Sequence, residues 1–193
     1  VNELSAEVDV IFNGHTHQIY TVDAPITAGT RNISQAGQYG GGLTSVQLGA
    51  MTADQLIALS TGQIAALRTA QIGYLSTIQL GALSNTQVQA LTTDQVASIK
   101  LAQIPALTID HMGVLRTDQL QALTTSQIQT LSVSQLTALG SAQAGALGTA
   151  QMAALKVAQI SGLDATQIHG FSTAQLGAWS TTQWGALTNA QIG

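Results

Sequence analysis

The sequence predicts an all-α repeat, a solenoid of short capped helices with one helix per eight-residue unit. Three observations predict it: an unbroken octapeptide period, a helix-start signal inside every period, and an apolar spacing that no continuous helix could use. The period begins at Leu43 and runs to Gly193 as nineteen units without insertion or deletion. Each unit reads Leu, Ser/Thr, any, any, Gln, Leu/Ile/Val, any, Ala. The amide position is held by Gln47, Gln55, Gln63, Gln71, Gln79, Gln87, Gln95, Gln103, Gln119 and Gln127, and onward every eight residues to Gln191, with His111 as the single exception.

A continuous helix turns about 100° per residue, so successive octads would be rotated by roughly 80° and no apolar stripe would persist. A coiled coil needs a period near 3.5 residues and is equally excluded. The helix must therefore restart in every unit. Ser/Thr followed three residues later by Gln is the capping box, in which each side chain satisfies a backbone N–H at the helix start. The Leu before the cap and the Leu/Ile/Val after the Gln occupy the two positions of a hydrophobic staple, in the same register. Asp54, Asp94, Asp110 and Asp118 each fall two positions after a cap, where the helix dipole favours negative charge.

The cap position departs from Ser, Thr or Asp at Arg68, Lys100, Arg116, Gly140, Gly148 and Lys156, which predicts weaker caps there. Helices of five or six residues are far too short to exist alone, so stacking must hold them. No Glu occurs after Glu7, although an exposed capping box would accept Glu as readily as Gln. The amide row is therefore expected inside or between coils, where carboxylates would be poorly solvated and Gln could also bond to a neighbouring turn. Gly at the seventh residue of many octads, just before the final Ala position, and Pro105 in the same place, suggest that each helix ends early. The alternative fold is a parallel β-solenoid, since an even period also keeps each position on one face. The Ala, Leu and Gln content and the lack of an obligatory turn Gly weigh against it.

Only 7% of residues are charged and the net charge is -4, with the five basic residues widely separated. This composition excludes a polybasic nucleic-acid or lipid-headgroup patch, and no apolar run reaches the roughly 20 residues of a membrane span. Cysteine is absent, which removes disulfides and thiolate sites.

Residues 1–42 are aperiodic and read as a second, partial segment, a small α/β remnant before the solenoid at 43–193. Val8 to Phe12 form a short apolar strand pattern leading into Asn13-Gly14-His15-Thr16-His17, and Gln35-Ala36-Gly37-Gln38-Tyr39-Gly40 follows. These motifs, in this order, resemble the end of the metallophosphoesterase domain of the bacterial 5'-nucleotidase family. The resemblance implies that His15 and His17 are ligands of a divalent metal pair acting on phosphate esters. The family's upstream Asp-x-His, Gly-Asp and Gly-Asn-His-Glu motifs have no counterpart in this sequence, so the ligand set is incomplete.

The octads offer no residue pattern for catalysis and call for no cofactor. A metal pair is expected only if the upstream domain is present. His111 reads as a substitute for Gln, His169 as a solvated side chain, and Trp179 with Trp184 as staple packing. Gly40-Gly41-Gly42 reads as a linker. The functional expectation is a structural spacer or self-associating surface repeat, extracellular, at the cell surface or periplasmic, with no nucleic-acid partner, no membrane insertion and no small-molecule substrate. The alternatives are a fragment of a secreted phosphoesterase, and an ice- or polysaccharide-binding surface built on the recurring Thr after the cap.

Overall fold

The computed structural model describes residues 45–193, which form nineteen short helices from Ser45–Ala50 to Asn189–Ile192. The α/β remnant expected at the N-terminus, with His15, His17 and the Gly40-Gly41-Gly42 run, lies outside the described residues. Among the described residues there is no strand, so the parallel β-solenoid is set aside for them. Each helix has four to six residues and belongs to one octad.

The corner between helices is made by two consecutive residues in extended conformation. Leu83, for example, ends one helix at φ -54°, ψ 140°, and Ser84 caps the next at φ -70°, ψ 157°. Both values lie in the region open to any L-residue, so the bend needs no left-handed glycine. Among the described glycines only Gly193 has a positive φ. This is why the chain can turn every eight residues while keeping Leu at the corner.

The expected early helix end is only partly realised. Gly73 and Gly185 do stand at helix C-caps, but Gly81 and Gly113 lie inside Thr77–Ala82 and Ile109–Val114. At Gly81 a Cβ would sit 3.1 Å from the carbonyl oxygen of Ala106, so the missing side chain serves close approach of the next coil. Pro105 does not stop its segment either. The helix Leu101–Ala106 tightens into a 3₁₀ form around it, which avoids the backbone bond that proline cannot donate.

Every helix up to Ala165–His169 packs against the helix three octads further on. Thr61–Ala65 contacts Asn85–Ala90, which contacts Ile109–Val114, and the series continues through Val133–Thr137 and Val157–Ser161 to Thr181–Trp184. Two parallel series run through the other octads. Three eight-residue units therefore complete one coil, and the described residues form a three-sided column. Its interior is filled by the two apolar staple positions. Leu48, Leu56, Ile64, Ile72, Leu80 and Val88 are fully enclosed, as are Ile104, Leu120 and Ile128. The corner residues Leu83, Leu91, Leu107 and Leu123 are buried beside them.

One contact between coils is shaped to a particular pair. A methyl group added at Gly162 would overlap Cγ1 of Val133, which stands at the start of a helix one coil earlier. Gly162→Ala should therefore lower stability by about 1–3 kcal/mol through overpacking. Adding Val133→Ala should restore most of that loss, measured by chemical denaturation of the two single variants and the double.

Candidate functional site

The most chemically uniform feature of the column is its row of amides. Gln79 is held by the helix Thr77–Ala82 at its third position, and its Oε1 accepts the backbone N–H of the cap residue Ser76 at 2.8 Å. The Ser76 hydroxyl in turn accepts the backbone N–H of Gln79 at 3.1 Å. The other end of the same amide crosses to the preceding coil. Nε2 donates to the carbonyl of Leu48 at 3.0 Å and to that of the corner residue Met51 at 2.7 Å.

This pattern repeats along the column. Gln127 is only 1% exposed and donates to Val96 O at 3.1 Å and Ile99 O at 2.7 Å. Gln87, Gln95, Gln103 and Gln119 make the corresponding corner bonds to Leu59, Leu67, Leu75 and Leu91 at 2.6–2.8 Å. Gln135 to Gln191 continue the row, Gln191 reaching Leu163 O at 2.8 Å. At the beginning of the column Gln47, Gln55 and Gln63 are half-buried, while Gln71 is buried. Carboxylates at these sites would keep the acceptor and lose the donor, which accounts for the absence of Glu.

His111 takes over both roles with its ring. Nδ1 lies 3.3 Å from the N–H of Thr108, and Nε2 lies 2.7 Å from the corner carbonyl of Leu83. Both bonds form only in the neutral tautomer that carries its proton on Nε2. The sequence-based reading of His111 as a Gln substitute is thus realised at both ends of the side chain.

Where the cap is not Ser, Thr or Asp, half of the box survives. The N–H groups of Arg68, Lys100, Arg116, Gly140, Gly148 and Lys156 still bond Gln Oε1 at 2.6–2.9 Å, although no cap side chain returns the bond. Two of these residues gain contacts across coils instead. Arg116 donates to the carbonyl of Gln89 and pairs with Asp118, and the ammonium of Lys100 lies 5.4 Å from the centre of the Tyr74 ring. These roles were not legible in the octad, because they join residues 26 or 27 positions apart. The hydrogen bond from Arg116, more than any other contact, holds the Asp118 carboxyl below its usual range. Asp164, the one acidic cap, is held low first by the Thr166 hydroxyl and then by the N–H of Gln167.

Trp179 is buried and packs edge-to-face against Phe171 and Trp184, with centroids 5.9 and 5.5 Å apart. Its indole N–H is buried without an acceptor, a local cost of placing Trp where other units carry Leu. Trp184 is 44% exposed beside it. His169 is exposed. No group of three or more potential metal ligands occurs among the described residues, and no helix there is long and apolar enough to cross a membrane.

The repeating sequence unit is also what comparison with known families detects. The ALTTAQ repeat matches at residues 56–85, 78–109, 112–149, 125–157 and 145–178, more than half of the chain. The chain belongs to the ALTTAQ repeat family. In this chain the six letters correspond to the end of one octad and the start of the next, as in Ala122-Leu123-Thr124-Thr125-Ser126-Gln127: a corner, a cap and the bridging amide. The match lies wholly within the repeats, and no 5'-nucleotidase domain is matched. No curated protein and no solved structure matches the chain.

The amide row gives a direct test. Gln127→Glu should destabilise the column by about 2–4 kcal/mol, since it leaves two carbonyls without their donor and places a carboxyl group in their stead. His111→Gln, which restores the repeat's own residue, should leave stability at neutral pH within about 1 kcal/mol of the parent, both measured by urea denaturation.

Proposed function

We propose that this ALTTAQ repeat chain is a structural element, a spacer or self-associating column with no catalysis in its repeats. The observation that supports this reading is where the repeated chemistry goes. Leu at the corner, Ser/Thr at the cap, Gln, and the following Leu/Ile/Val are the residues held constant, and all are engaged in building one coil on the last. The outward positions vary instead. The residue two after the cap is Asp54, Gly62, Ala70, Ile78 and Thr86 in consecutive octads. Repetition thus preserves stacking rather than a displayed binding group. Exposed apolar side chains such as Ile78, Ile109 and Tyr74, on a surface with few charges, favour association between columns.

A spacer tolerates changes in length by whole coils. Deleting residues 115–138, one coil of three octads, should give a chain that still unfolds cooperatively with unchanged helix content per residue. Light scattering of the parent should show a mass that rises with concentration. A deletion variant that fails to fold, together with a parent that stays monomeric at all concentrations, would sink the proposal.

The motif around His15 and His17 favours a second reading for the aperiodic segment: a piece of a secreted phosphoesterase whose metal site is completed by residues upstream. Calorimetric titration of the 193-residue chain with Zn²⁺ should then show no binding tighter than micromolar. The double variant His15→Ala, His17→Ala in a chain extended by the missing motifs should lose metal.

A further inference from the structure

We propose that His111 is an acid-sensitive clasp, the one place in the amide row where a proton from solvent can undo the bond between successive coils. The inference does not depend on the structural role proposed above. It rests on the geometry of one ring.

Eighteen of the nineteen amide positions are Gln, which neither gains nor loses a proton in water. The nineteenth is an imidazole, 3% exposed, that accepts the Thr108 N–H on Nδ1 and donates to Leu83 O from Nε2. A proton taken up at Nδ1 changes that atom from acceptor to donor, so two N–H groups then face each other. It also places a positive charge in an apolar wall, next to the fully enclosed Met112. Relief comes by turning the ring outward, which breaks the 2.7 Å bond to Leu83 O. That bond is the amide-row hydrogen bond from this octad to the coil before it.

The surroundings offer the imidazolium little compensation. The octads packed against it at residues 75–90 and 131–138 contain no charged side chain. On its own helix Asp110 is exposed to solvent. In the adjoining octads Lys100 is directed to the Tyr74 ring, and Arg116 is paired with Asp118.

The sign follows from which form the folded state holds. The neutral ring fits and the protonated ring does not, so the unfolded chain binds the proton more readily. Stability is therefore expected to fall as the solution is made acid.

The test compares the full chain with its His111→Gln variant between pH 7.5 and 5, by thermal melting and by hydrogen exchange. The parent should lose midpoint relative to the variant as the pH is lowered across this range. Exchange should quicken first in peptides covering residues 83–91 and 107–115. The comparison cancels contributions from His15, His17 and His169, which both chains share. Melting curves with the same pH dependence, or exchange that quickens evenly along the column, would overturn the proposal.

Discussion

The structure depends on a primary amide that works at both ends. A helix of six residues has no stability of its own, and its first N–H groups have no partner within it. Gln supplies an acceptor to its own cap residue and a donor to the corner carbonyl of the coil before it. Local helix initiation and long-range stacking are thereby completed by one side chain. Neither a carboxylate nor an aliphatic residue can do both, which is why the row stays neutral while the outward positions vary.

The same arrangement explains how the column absorbs imperfect units. Six octads have no hydroxyl or carboxylate at the cap, yet their Gln side chains still close half of the box. Gly140 and Gly148 lose little, because glycine is itself a tolerable cap. Arg116 and Lys100 compensate over a longer distance by reaching the preceding coil. Because each unit touches only its neighbours in the chain and those one coil away, such defects stay local, as expected of a quasi-one-dimensional array.

A fold of this kind exhausts its constant residues in holding itself together. That is the physical support for the structural role proposed for this ALTTAQ repeat chain. The interior is a narrow seam of Leu, Ile and Val flanked by amides, not a cavity with converging polar groups. What faces outward is set one octad at a time, so the surface can change without disturbing the coil.

The octad by itself determined a great deal. Its period excluded a long helix, its Ser/Thr and Gln spacing placed each helix start, and its lack of Glu put the amides inside, because capping chemistry and desolvation act over a few residues. Only the tertiary structure decided that three octads make a coil, that Gln79 reaches Leu48 and Met51, that Val133 faces Gly162, and that Arg116 finds Gln89. Those contacts join residues 24 to 31 positions apart. Near-identical units offer every octad the same choice of partners, so the pairing is settled by the angle of the Leu-Ser corner and the packing of one helix on the next, which no single unit encodes.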